Sequence, residues 1–518
     1  MTAVDDRPLA DLQTFGYDQQ LERKVGTFAS FAVGFSFVSI LTTVFQLFGL
    51  GYGFGGTAFF WTWPAVFAGQ LLVALCFSEL AARYPISGAI YQWSRRLGGA
   101  VVGWFAGWTM IIAQIVTLAA AAIALQVVLP VVWTGFQVIG TDPALDSVSG
   151  ASNAVLLGVV LLAVTTVLNA ASIRITAIAS SVGVVCELVG VALVVVLLFV
   201  HAERGPAVLL HATNLDPTTG YFVPLLMSSL MAAYVLVGFD SAGELSEETH
   251  NPRRTAPRTI LRAVAASGLG GALLIVAALM AAPSLTDGKL ATEGLPYVLT
   301  SRLGTVPGKL LLLDVAVAVF VCTLAIQTSA SRMIFSMARD RVLPFSAQLA
   351  KVSGRTGTPV VPTVVSGVLA AALLAVNIGN PALFLALTSV CIMLMYLAYL
   401  MVTVPMLVQR LRGRLATGEL DETGRPLFSM GRWGTLVNAV AVLYGLGMAI
   451  NLGWPRAEVF DPEGGHWYLQ FLGPIALGVT ALLGLIAYAA QRRDYHATIG
   501  SPQPRRWLGG SAVAAEEA

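Results

Sequence analysis

The sequence predicts an all-α membrane protein of twelve transmembrane helices, and three observations carry that reading. Of 518 residues, 56% are apolar and 11% are charged, with a mean hydropathy of +0.77; soluble domains run at roughly 45–50% apolar and about 25% charged. The apolar residues gather in charge-free runs that reach the roughly 20 residues a helix needs to cross a bilayer. Inside those runs polar and apolar residues do not alternate, as the strands of a membrane barrel would. The same arithmetic excludes a soluble enzyme, a disordered chain and a nucleic-acid binder, because 30 Lys and Arg against 28 Asp and Glu leave no basic stripe for a phosphate backbone.

The elements follow in chain order. Residues 1–25 carry Asp5, Asp6, Arg7 and Asp11 before any apolar run, unlike a cleavable signal peptide, and read as a cytoplasmic tail. The run 25–78 is too long for one helix, and the glycines from Gly49 to Gly56 divide it into spans 1 and 2. Runs 97–141, 148–173 and 175–201 give spans 3 to 5, the last interrupted only by Glu187. Span 6 is 217–239, span 7 is 263–286, and span 8 is 310–331 with Asp314 inside it. The run 356–409 divides between Asn377 and Pro381 into spans 9 and 10, and 434–455 and 464–491 close the set. Cys76, Cys186, Cys322 and Cys391 sit inside these runs at spacings of neither a zinc site nor a disulfide framework, and read as packing residues. With the N-terminus inside, 25 of the 30 basic residues face the cytoplasm and only Arg204, Lys289, Arg302, Lys309 and Arg456 face out. That asymmetry orients the chain with both termini cytoplasmic and requires an even span count.

Two spans hold glycine and polar residues where a lipid-facing helix would hold leucine. Span 1 contains Val33-Gly34-Phe35-Ser36 and then Val38, Ser39, Ile40 and Leu41; span 6 contains Val237-Gly238-Phe239-Asp240. Glycines that let helices approach closely would explain the pattern blandly. Interrupted segments at corresponding places in two halves are, however, the sequence mark of a transporter site. Unwinding frees backbone groups that lipid cannot satisfy. N–H groups at a half-helix start suit a carboxylate, and carbonyls at a half-helix end suit an ammonium. An amino acid has both groups. The candidate substrate contacts are therefore Ser36, Val38, Ser39, Ile40 and Leu41 in span 1 and Val237, Gly238 and Phe239 in span 6.

Three segments carry a family resemblance: residues 77–93 after span 2, residues 238–248 with Asn251 to Pro257 after span 6, and residues 331–344 after span 8. In this order they resemble the signatures of the amino acid-polyamine-organocation transporters, with the nearest look to the amino acid/choline subgroup that includes GABA and choline permeases. The resemblance implies a LeuT-like fold with helices 1 and 6 broken, in which residues 26–210 and 211–409 form a five-plus-five inverted repeat. Residues 410–490 then supply two additional C-terminal helices, and 491–518 a cytoplasmic tail. It also implies alternating access. This chain departs from the resemblance in two places: Ser39-Ile40-Leu41 stands where many members have Gly-Ser/Thr-Gly, and Glu187-Leu188 stands where some proton-coupled members have Lys before Leu.

Single residues sharpen the reading. Glu187 lies mid-span, where an ionisable group costs at least ~2.5 kcal/mol and faces a partner or a cavity; it is a candidate for coupling, or for holding a substrate ammonium, against a packing role. Asp240 follows the span 6 break, where relatives keep an acid, and is the second coupling candidate. Tyr234, six residues earlier, stands where relatives place an aromatic gate. Gln114 in span 3 is a candidate cavity-lining residue, as is Asp314, and both also suit helix-to-helix hydrogen bonds. The match of Gly51 to Gly56 with a dinucleotide fingerprint follows a membrane helix rather than a strand and carries no cofactor. The histidines, His201, His211, His250, His466 and His496, form no H-E-x-x-H pair, so no metal is expected. Glu244, Glu247 and Glu248 face Arg253, Arg254 and Arg258 across a short loop, as solvated charges or as an inner gate closed with Arg83 or Arg332.

The expectation is a secondary active transporter in an inner or plasma membrane, a monomer or homodimer, moving an amino acid or related small amine with protons. An alternative is a carrier for a cation without carboxylate, such as choline, ethanolamine or a polyamine, since Tyr234 and Phe239 suit an aromatic cage. Sodium coupling is the other, with Thr323 and Ser329 as oxygen donors. An intramembrane enzyme would need a nucleophile with its base, or metal ligands, at membrane depth.

Overall fold

The computed structural model describes residues 12–210, 220, 222–286, 288–376, 378–380, 382–415, 418–421, 424–457 and 467–499. Asp5 to Asp11, His211, Asn377, Pro381, His466 and the tail from residue 500, with Arg505 and Arg506, lie outside the described residues. Among the described residues the chain is helical with no strand, and nine stretches are long and apolar enough to cross a membrane. The chain is a multi-pass membrane protein.

The first stretch, Thr27–Arg83, is one apolar block of 57 residues that holds α1 (Thr27–Val38), α2 (Ile40–Gly55) and, after a 3-10 turn, α3 (Thr62–Arg83). The structure narrows the expected divider at Gly49 to Gly56: Gly49, Gly51, Gly53 and Gly55 run inside α2, and the chain leaves that helix at Gly56, at φ 54°. Their reason is close packing: a Cβ at Gly49 would strike the carbonyl of Ala291, and one at Gly51 would come within 2.9 Å of Met231 and Phe59. Small residues that admit a neighbouring backbone are the membrane form of helix packing.

The amphipathic α4 (Ala89–Gly98) precedes α5 (Ala100–Ala122) and α6 (Leu125–Val132), and α7 (Val148–Ala171) and α8 (Ile173–Val200) follow. The next segment is α9 (Phe222–Val235), unwound backbone over 236–240, and the single turn α10 (Ser241–Glu244). After α11 (Pro252–Ala281) come the short α12 (Lys289–Thr292) and α13 (Gly294–Leu303), then the 35-residue α14 (Thr305–Arg339). The chain ends in α15 (Ser346–Leu349), α16 (Val360–Ala375), α17 (Leu383–Leu411), α18 (Gly434–Gly453), α19 (Trp467–Gln470) and α20 (Leu472–Ile499).

Two-faced burial places the site. On α8, Val182, Val185, Val189 and Val196 are exposed, whereas Ser180, Gly183, Glu187, Gly190 and Val194 on the opposite face are buried. Exposed apolar stripes of this kind suit lipid, and the buried face turns Glu187 into the bundle. There α1 packs against α8, α11 and α14, while α2 packs against α9. The entry to α1 is tied to the segment after α10 by a parallel bridge: Val25 N–H donates to Glu248 C=O (2.9 Å) and His250 N–H to Val25 C=O (3.0 Å).

Candidate functional site

The break between α1 and α2 is a single residue, Ser39, at φ 38° and ψ 94°. A non-glycine residue there costs on the order of 1 kcal/mol, and its hydrogen bonds hold it. Ser39 Oγ donates to Glu187 Oε1 (2.9 Å), lies 2.7 Å from Thr42 Oγ1, and accepts from Thr42 N–H at 3.4 Å. Leu41 N–H donates to the same Glu187 Oε1 at 3.2 Å. A carboxyl from α8, 146 positions away from Leu41, thus caps the start of α2, where free N–H groups favour negative charge. Glu187 is 1% exposed, and its Oε2 is buried with no hydrogen-bond partner among the described residues.

The second break follows α9. Gly238 takes φ 92°, a region that favours glycine, and the Phe37 ring occupies the space a Cβ would need. This contact brings the two interrupted stretches together. Gly238 N–H donates to the Tyr399 hydroxyl (2.9 Å), which in turn donates to the Asp240 carboxylate. One phenol of α17 thereby satisfies an unwound N–H and fixes the acid at the head of α10. Below it Phe77, Phe239 and Tyr399 cluster, with ring centroids 4.9 to 5.9 Å apart.

The remaining expected site residues are all buried: Ser36, Val38, Ile40, Leu41, Gln114, Tyr234 and Val237. The Ser36 hydroxyl has no hydrogen-bond partner among the described residues. Gln114 Nε2 donates to Ser329 Oγ (3.0 Å), a tie between α5 and α14 rather than a contact with either break. Thr323 donates to the Val319 carbonyl of its own helix. Glu187 and Asp240 lie at different breaks and share no hydrogen-bond partner among the described residues. The sequence reading missed Tyr399; its signal was a phenol at mid-run in span 10, needing a partner in an apolar bundle.

After α10 and along the last turns of α14, the glutamates form specific pairs. Arg332 Nη2 donates to Glu248 Oε1 (3.0 Å), with both side chains at most 1% exposed. Arg339, two turns along the same face of α14, pairs with Glu247 at 2.8 Å, and Ser87 N–H donates to that carboxylate as well (3.1 Å). Of the expected partners, Arg332 pairs with Glu248 in this cluster. Arg83 instead pairs with Glu79 (3.0 Å) and Arg254 with Asp421 (2.6 Å), because their helices carry them to other neighbours. Glu244 is fully buried beside the N–H groups that open α4. The segment before α1 covers the cluster: the Tyr17 hydroxyl donates to Asp340 (2.9 Å), and the Arg339 guanidinium lies 4.1 Å from the Tyr17 ring centre. Burial, reinforced by the Asp340 carboxylate, holds the Tyr17 phenol above its ordinary range, so it stays a donor.

Residues 25–479 match the model of the family described as amino acid permease. The chain is 26% identical over 483 residues to amino-acid permease BAT1 of Arabidopsis thaliana, covering 89% of this chain and 91% of that protein. It is 28% identical over 507 residues to the BAT1 homolog of Oryza sativa, covering 94% of each. It is also 23% identical over 375 residues to the GABA-specific permease of Saccharomyces cerevisiae, covering 69% of this chain and 64% of that protein.

Proposed function

Because the chain belongs to the amino acid permease family, a family of transporters rather than enzymes, we propose that it moves an amino acid or related small amine across a cell membrane by proton-coupled alternating access. The observation that carries this reading is the meeting of two broken helices at Phe37 and Gly238, deep in the bundle, each with a buried acid at the break. In this reading the nine long stretches resolve into twelve spans: the first holds two, and the short apolar helices α9 and α16 add two more. Spans 1 to 5 and 6 to 10 form an inverted repeat of the LeuT-like kind, with both termini in the cytoplasm. The substrate lies against residues 36–41 and 237–239, with Tyr234 as gate and Gln114 near its wall. Glu187 and Asp240 couple the proton. The pairs Arg332–Glu248 and Arg339–Glu247 close the inner side.

One observation favours the carrier for a cation without carboxylate: Glu187 already fills the anion position at the start of α2. A substrate lacking a carboxylate would leave that bond in place. Counterflow in proteoliposomes with a panel of amino acids, choline, ethanolamine and polyamines, in sodium-free buffer, separates the readings. Exchange of labelled amino acids is the expected result. Exchange confined to amines selects the alternative, dependence on added sodium moves the coupling ion from H+ to Na+, and no exchange with any compound contradicts the carrier reading.

A further inference from the structure

Glu187 does not stand alone on its face of α8. Gly190, one turn further along the same face, leaves a notch, and Asp314 of α14 enters it so closely that its Oδ2 lies where a Cβ of residue 190 would be. That Oδ2 is buried and makes no hydrogen bond among the described residues, as is the case for Glu187 Oε2, while the Asp314 residue as a whole is half-buried. Asp314 also acts electrostatically on Glu187. The sequence reading expected it to line a cavity or to tie two helices, and an acid in the apolar outer half of a span is costly and marks an ion or proton path.

We propose that Asp314 is the outer port through which protons reach Glu187, a reading that rests on the proton-coupled transport proposed above. The carboxyl of Asp314 takes a proton from the outer solution and passes it to Glu187 Oε2, directly or through one water. One O–H bond breaks as the other forms, and the pair carries one proton and one negative charge before and after. Protonated Glu187 keeps Oε1 as acceptor for Ser39 and Leu41, so α2 stays capped. The groups around the pair suit this. From α14 the other titratable neighbour is the Cys322 thiol, near Glu187; Lys309 lies five residues before Asp314, off its face. From α8 there is Cys186, adjacent to Glu187 in the chain. The α1–α2 break contributes only the hydroxyls of Ser39 and Thr42. On α11 the cations Arg253, Arg254, Arg258 and Arg262 sit in its first turns, at the opposite membrane side, and on α13 Arg302 is paired with Glu203.

The test measures pH-gradient-driven accumulation and equal-concentration exchange in the same sodium-free vesicles, with a substrate the counterflow panel identifies. Asp314→Asn is expected to cut accumulation at least tenfold and exchange less than twofold, with Asp314→Glu restoring part of the accumulation. Gly190→Ala, which expels Asp314 from the notch while keeping both carboxyls, is expected to reproduce the Asn phenotype. An Asp314→Asn protein that accumulates like the unsubstituted one overturns the relay, as does one that loses accumulation and exchange equally, which would make Asp314 structural. Absence of exchange in the unsubstituted protein overturns the transport reading and the relay with it.

Discussion

A single carboxyl carries one proton or offsets one positive charge, and the two roles proposed for Glu187 make opposite forecasts for its neutral mimic. Its Oε1 is committed to Ser39 and to Leu41 N–H, an arrangement a glutamine reproduces through its amide oxygen. Glu187→Gln should therefore fold and bind, yet lose accumulation under a pH gradient while exchange persists. If instead Glu187 held the substrate's ammonium, the same substitution would weaken binding by about 1.5–3 kcal/mol, visible as a right-shifted exchange curve. Vesicle uptake with and without the gradient decides between them. Glu187 was readable in the sequence as the one acid in its span. Its partner Ser39, 148 positions away, was not, because a long-range contact leaves no local trace.

Each broken helix depends on one residue outside ordinary helical space, and the two solve the problem differently. Ser39 is held at positive φ by its hydroxyl network, whereas Gly238 needs the absence of a side chain, with Phe37 filling the space. Gly238→Ala adds backbone strain of roughly 1–2 kcal/mol to a steric conflict with Phe37, and should lower substrate exchange at least tenfold in protein that still reaches the membrane. Exchange per molecule, normalised to immunodetected protein, checks this. The glycines of α2 show the limit of composition. A run from Gly49 to Gly56 looks like a helix breaker throughout, but the backbone at Ala291 packs against Gly49 and the helix continues to Gly55, breaking only at Gly56.

Across the whole molecule, arginines of α14 reach the glutamates after α10, with the segment before α1 laid over them, and in the proposed function these pairs close the inner side. Removing one partner of a buried pair leaves an uncompensated charge and costs about 3–5 kcal/mol. In the proposed function that cost falls on the inward-closed arrangement. Arg332→Ala should expose the inner vestibule, so that a cysteine at Ser87, buried in the structure, reacts with a membrane-impermeant thiol reagent from the cytoplasmic side at least tenfold faster than with Arg332 present. An unchanged labelling rate would show that this pair does not hold the gate.

The amino-acid sequence by itself determined that this chain lives in lipid as a helical bundle, where Glu187 and Asp240 stand in otherwise apolar spans, and which two spans are interrupted. Hydrophobic run length, charge asymmetry and misplaced polar residues are local properties, readable one segment at a time. Only the tertiary structure decided that Glu187 caps α2, that Tyr399 joins Gly238 to Asp240, that Arg339 rather than Arg83 meets Glu247, and that Asp314 fits the notch at Gly190. The physical reason is that buried polar groups in a membrane protein find partners on other helices. Which partner each one meets is set by how the helices pack.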